Sequence, residues 1–118
     1  MNAIFIHDLR VSTRIGVYAW ERALPQTIRI DLDIELASAR AFETGDLADA
    51  LDYSKVVERI RVFAGNHGYP LVERFAEALA SVVLDEFPAA AVRLRVAKLG
   101  ALPGVREIGV AIERRRNA

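Results

Sequence analysis

Cysteine is absent from the 118 residues, which excludes disulfides, thiolate metal sites and a cysteine nucleophile. Histidine is scarce: His7 and His67 are the only two, far apart and in no metal-binding spacing, so the composition assembles no metal site. No charge of one sign prevails either, since sixteen Lys and Arg balance sixteen Asp and Glu. A dedicated nucleic-acid binder would carry a basic excess, although a local patch for a phosphate is still allowed. No run is long enough to cross a bilayer. Met1 to Arg10 mixes Ile4, Phe5 and Ile6 with His7, Asp8 and Arg10, too short and polar for a signal peptide's apolar region, so the default expectation is a cytoplasmic protein. No serine sits in a Gly-x-Ser-x-Gly elbow, and Gly100, Gly104 and Gly109 form no phosphate loop.

What is present is alternation. From Thr27 to Leu36, Ile28, Ile30, Leu32, Ile34 and Leu36 alternate with Arg29, Asp31, Asp33 and Glu35, the period-two signature of a strand with one buried and one wet face. Val92 to Lys98 repeats it, and Ile108, Val110 and Ile112 mark another strand. Ile4 to Val17 is β-rich but less regular, and is expected to pair with Thr27–Leu36 across the loop holding Pro25. Between these pairs the period becomes helical. Val72, Phe75, Ala76, Leu79, Val82, Val83 and Phe87 form one stripe, bounded by Pro70 and Pro88. Val56, Val57, Ile60, Phe63 and Ala64 predict a shorter helix, capped by Asp52 or Ser54 and broken at Gly65–Gly68.

The length suits one domain over 1–118. The order strand, strand, helix, helix, strand, strand predicts an α+β fold, a four-stranded antiparallel sheet with two helices on one face. Its two open edges are a pairing hazard that a ring of subunits, edge to edge, would remove. The Arg114-Arg115-Arg116 tail reads as a solvated end.

Taken singly, the polar residues have ordinary explanations. Glu21 reads as a solvated acid in the first hairpin turn, and Tyr53 as a packing aromatic before the first helix. Glu73 is an acid that the dipole favours in a first turn. Lys98 reads as a strand-end lysine protecting an edge. His7 reads as a strand residue and His67 as a loop residue.

Together, five segments resemble the dihydroneopterin aldolase family: Ile15-Gly16-Val17-Tyr18-Ala19-Trp20-Glu21, Ala50-Leu51-Asp52-Tyr53, Leu71-Val72-Glu73-Arg74-Phe75-Ala76-Glu77, Val96-Ala97-Lys98, and Ile108-Gly109-Val110-Ala111-Ile112-Glu113-Arg114. They span nearly the whole chain in family order. The resemblance implies the tunnelling fold, with four subunits closing their sheets into a barrel, a tetramer or a stacked octamer, and sites between neighbouring subunits. It implies a retro-aldol cleavage of 7,8-dihydroneopterin, without Schiff base, metal or cofactor. It places the pterin anchor on Glu73, the ring-stacking partner from the adjacent subunit on Tyr53, the catalytic lysine on Lys98 and the hairpin-loop glutamate on Glu21. Backbone groups around Leu51 and Val72 match further pterin contacts.

Those residue types suit the chemistry. A pterin presents adjacent N–H donors that one carboxylate accepts in bidentate fashion, and its flat ring stacks on an aromatic. The electrons of the broken bond flow into the ring's own C=N bond, leaving only proton transfer for Lys98, with Glu21 positioning it, a water or the substrate hydroxyls. One departure stands out. Lys98-Leu99-Gly100-Ala101-Leu102 is closer to the sister family of dihydroneopterin triphosphate epimerases, whereas Tyr18–Glu21 and Ile108–Arg114 favour the aldolases. A non-catalytic pterin-binding ring protein is the alternative of another class; retention of Glu21 and Lys98 beside Glu73 argues against it.

Overall fold

The alternating segment becomes β2 (Gln26–Leu36), and its apolar set, Ile28, Ile30, Leu32 and Ile34, is buried. A computed structural model describes residues 2–117. β2 pairs antiparallel with β1 (Ala3–Thr13) on one side and β3 (Ala89–Leu102) on the other, and β3 pairs with β4 (Val105–Arg115). The sheet order is β1-β2-β3-β4, with β1 and β4 at the edges. The expected antiparallel α+β arrangement is therefore observed.

The irregularity of the first strand has a cause. Between Ile6 and Leu9 the register with β2 shifts by one residue, and Asp8 there takes the left-handed conformation (φ 59°). Such a residue is uncommon outside glycine but tolerated by Asp. The Asp8 amide donates to Asp31 Oδ1 at 2.6 Å, which holds the bulge. Ile4 and Ile6 before it and Leu9, Val11 and Thr13 after it all pack towards the core face, as a one-residue bulge allows.

Two longer helices cover that face. α3 (Tyr53–Asn66) begins where the Asp52 carboxylate accepts from the Ser54 and Lys55 amides, and it buries Val56, Ile60 and Ala64. It runs through Gly65 to Asn66, past the break expected at Gly65. α4 (Val72–Glu86) buries Phe75, Ala76, Leu79, Ala80, Val83 and Leu84, with Pro70 and Pro88 just outside it as expected. Burying a large apolar side chain is worth about 1.5–3 kcal/mol; Phe75, Ile60 and Leu79, all fully buried, join the helices to the strands.

Three pieces escaped periodicity because one turn has no period: α1 (Ala19–Ala23) and α2 (Arg40–Thr44), one in each connection, and a 3-10 turn at Leu47–Asp49. The arginine tail is exposed, as expected of a solvated end, but it is also tied down. Arg114 bonds Glu77 and Arg115 bonds Glu35, while the Arg116 guanidinium donates to the carbonyls of Leu84, Phe87 and Ala89. A cation among the last carbonyls of α4 satisfies acceptors that have no helical partner.

Candidate active site

A cleft of about 310 Å³ opens between α1, the start of α4, β3 and β4, and Glu21, Val72, Glu73 and Lys98 all line it. Tyr18, Trp20, Leu102, Ile108 and Val110 supply its apolar walls. The volume is at the small end for a ligand cleft. Tyr53 and Leu51 are not brought to it. Tyr53, the first residue of α3, is 62% exposed, whereas Leu51 is buried beside Ile4, Leu36 and Phe42 around a different hollow.

Glu21 departs furthest from its reading as a solvated acid: it is 3% exposed. α1 turns it inward, and Gly16 makes room for it. Gly16 has φ 130°, and any Cβ there would collide with the Glu21 carboxylate. Glu21 Oε2 accepts from Lys98 Nζ at 2.5 Å and from the Gln26 amide at 3.2 Å. Gln26 is itself held by a bond to the Ile15 carbonyl at 2.8 Å. Burial pushes the Glu21 carboxyl upward, but the bonds from Lys98 and Gln26, the Lys98 charge and the Tyr18 amide outweigh it and hold the carboxyl below its ordinary value. Both side chains of the ion pair are withdrawn from water, at 15% exposure for Lys98 and 4% for Glu21.

Lys98 lies within β3, opposite Ile28 on one side and Ile108 on the other, rather than at the strand end where the sequence placed it. Glu73 is exposed at the cleft in the first turn of α4, whose N-cap, Leu71, offers no side-chain acceptor. The amides of that turn thus have no side-chain cap. The turn before α4 is anchored to the same loop that carries Glu21, because the Gly16 amide donates to the Pro70 carbonyl at 2.8 Å. Gly109, also lining the cleft, permits close approach: a Cβ would run into the Val96 carbonyl.

Sequence reasoning missed Gln26 and the paired rings of Tyr18 and Trp20, parallel to within 2° at 6.5 Å between centroids. The rings lie in the segment quoted for Glu21; nothing in the sequence marked Gln26, which starts a strand. A larger hollow, about 790 Å³, lies on the wet sheet face among Arg29, Asp31, Asp33, Arg93 and Arg95, away from all these residues. Among the described residues no three His, Asp or Glu side chains cluster as metal ligands would.

A buried acid bonded to a half-buried lysine, beside an exposed helix-start glutamate, is the set that the five sequence segments led to. The family model for dihydroneopterin aldolase (FolB) matches residues 4–113. The chain belongs to the dihydroneopterin aldolase family. The dihydroneopterin aldolase of Escherichia coli (strain K12) is 35% identical over 117 residues, covering 99% of this chain and 96% of the relative. That of Haemophilus influenzae is 30% identical, covering 97% of each. The crystal structure of the E. coli dihydroneopterin aldolase in complex with neopterin superposes with a TM-score of 0.90 at 35% identity, covering 97% of this chain and 99% of that one. The α+β arrangement is thus the family's, and no helix here is long and apolar enough to cross a membrane.

Proposed function

We propose that this chain cleaves the side chain of 7,8-dihydroneopterin by a retro-aldol reaction, giving 6-hydroxymethyl-7,8-dihydropterin and glycolaldehyde, and that Lys98 and Glu21 carry its proton transfers. The observation that supports this most is the withdrawn Lys98–Glu21 pair, 2.5 Å apart in the cleft that Glu73 also lines. Neopterin in the related E. coli structure supports a pterin ligand.

In this reading Glu73 accepts the pterin's adjacent N–H donors in bidentate fashion, with the uncapped amides of the α4 first turn, Val72 included, available to the ring's oxo group. The side chain of the substrate then extends towards Lys98. The hydroxyl next to the breaking C–C bond gives up its proton to Lys98 in its uncharged amine form, directly or through a water, and Lys98 becomes the ammonium. The bond's electrons enter the ring C=N, and glycolaldehyde leaves from the carbonyl side. A proton returned through Lys98 to the exocyclic carbon completes the hydroxymethyl product. Glu21 keeps the lysine aimed, and its carboxylate balances the ammonium in a site where an isolated charge would be costly. The ring's own C=N is the electron sink, so the cycle needs neither Schiff base nor metal.

Tyr53 and the backbone around Leu51 enter from a neighbouring subunit in this proposal. The 62% exposure of Tyr53 supports that, as do the open edges β1 and β4. The working form is then a barrel of four single-domain subunits or a stack of two such barrels, acting on free reduced pterins in the cytoplasm.

The deciding experiment incubates the protein with dihydroneopterin and with its triphosphate, and measures glycolaldehyde and the epimeric pterin separately. Glycolaldehyde from the free pterin is the expected outcome. Epimer without glycolaldehyde, on the triphosphate, would favour the epimerase reading that Lys98–Leu102 suggests. Binding with neither product would leave a pterin-binding ring protein.

A further inference from the structure

His67 takes no part in the chemistry above, yet it is built into the approach to the cleft. The Tyr69 amide donates to its Nδ1 at 3.0 Å, so Nδ1 carries no proton. The Thr13 hydroxyl donates to the Ala64 carbonyl at 2.6 Å and lies 2.6 Å from His67 Nε2. With its proton spent on Ala64, Thr13 accepts, and Nε2 is the protonated nitrogen. The ring is packed edge-on against the fully buried Phe75 at 4.7 Å between centroids and stacked on Phe63 at 5.9 Å. These bonds tie β1, the end of α3 and the 67–71 turn together, one residue ahead of the α4 turn that carries Val72 and Glu73. The Gly16–Pro70 bond is the second pin on the same turn.

We propose that His67 is a positioning residue for the substrate anchor: its neutral ring holds the 67–71 turn so that Val72 and Glu73 meet the cleft, and protonation releases it. This rests on the reading of Glu73 as the pterin anchor. A second proton would have to go on Nδ1, directly against the Tyr69 amide, replacing a hydrogen bond with two opposed donors. Burial already pushes the ring's pKa below its ordinary value. The groups facing it offer an imidazolium no compensation. On the α4 side Arg74 lies over the Tyr69 ring at 5.8 Å, on the β1 side Arg14 follows Thr13, and α3 presents Phe63 and Ala64. The phenol of Tyr69 is the other titratable group, and no carboxylate among the described residues bonds the ring.

The test is neopterin affinity of the assembled protein from pH 8 to pH 5, for wild type, His67→Asn and His67→Leu. Asparagine can accept from the amide two residues on, as in an Asx turn, and does not titrate in this range. Wild type is expected to bind evenly down to about pH 6.5, the ordinary histidine value, and progressively less below it. His67→Asn should bind like wild type at pH 8 and stay flat below. His67→Leu should bind about tenfold more weakly at every pH, with the loss in KM rather than kcat. Nitrogen chemical shifts of the ring should show a protonated Nε2 and a bare Nδ1. An Asn variant that keeps the wild-type acid fall, a Leu variant that binds normally, or the opposite tautomer would overturn the proposal. Failure of wild type itself to bind neopterin at pH 8 would overturn the pterin reading, and this inference with it.

Discussion

Lys98 Nζ and Glu21 Oε2 share one 2.5 Å hydrogen bond across a sequence separation of 77 residues. A strand interior and a one-turn helix meet there, and both charged side chains are largely withdrawn from water. If Lys98 moves protons during the reaction, Lys98→Ala should bind neopterin nearly normally and lose about 10²–10⁴-fold in single-turnover rate. Normal turnover would remove Lys98 from the mechanism.

Glu73 should fail differently. If Glu73 anchors the pterin, Glu73→Ala leaves ring donors unpaired, at a cost of about 1–3 kcal/mol. The loss should appear in equilibrium binding, including binding of pterins without a side chain. Unchanged affinity for the bare ring would assign the anchor elsewhere.

Mixing Tyr53→Ala subunits with Glu73→Ala subunits should restore part of the activity that each lacks alone, because some mixed interfaces then join an intact tyrosine to an intact glutamate. Sedimentation of the active species should give at least a tetramer, and a fully active monomer would refute shared sites.

Gly16→Ala is expected to be the most damaging small substitution in the loop. The φ of 130° costs any other residue about 1–3 kcal/mol, and the new methyl would displace the Glu21 carboxylate. Thermal unfolding should show lower stability, and turnover should fall with it; an unaffected rate would mean that Glu21 is not needed where it sits.

The pairing of Glu21 also sets a pH dependence. Its folded pKa lies below the ordinary glutamate value, so its contribution to stability is fully present above about pH 4.3 and is lost as pH falls through the folded value. Glu21→Gln should flatten that part of the stability curve in acid denaturation.

Strands β2, β3 and β4 and helices α3 and α4 were legible because each buries one face along several turns or pleats, which writes a period into the chain. The bulge at Asp8 and the one-turn helices were not, since no period survives in so short a stretch. The site divides the same way. The helix start of Glu73 and the strand of Lys98 were legible, but only the resemblance of the five segments singled out the two residues. The burial of Glu21 depends on Gly16, Gln26 and Lys98 converging from separate segments, and composition alone had made it a solvated acid. The docking of Arg116 onto α4 is likewise tertiary, and a run of three arginines does not announce it.

The bulge at Asp8 also acts as a parity change in β1. Even-numbered side chains face the core before it and odd-numbered ones after it. Were β1 to run on without the bulge and with every residue retained, Leu9, Val11 and Thr13 would fall on the opposite side of the sheet from Ile4 and Ile6. With Ile4 and Ile6 kept in the core, Thr13 would then lose Ala64 and His67. A single residue at the sheet's edge thus sets the phase of every contact that β1 makes with the turn ahead of Glu73.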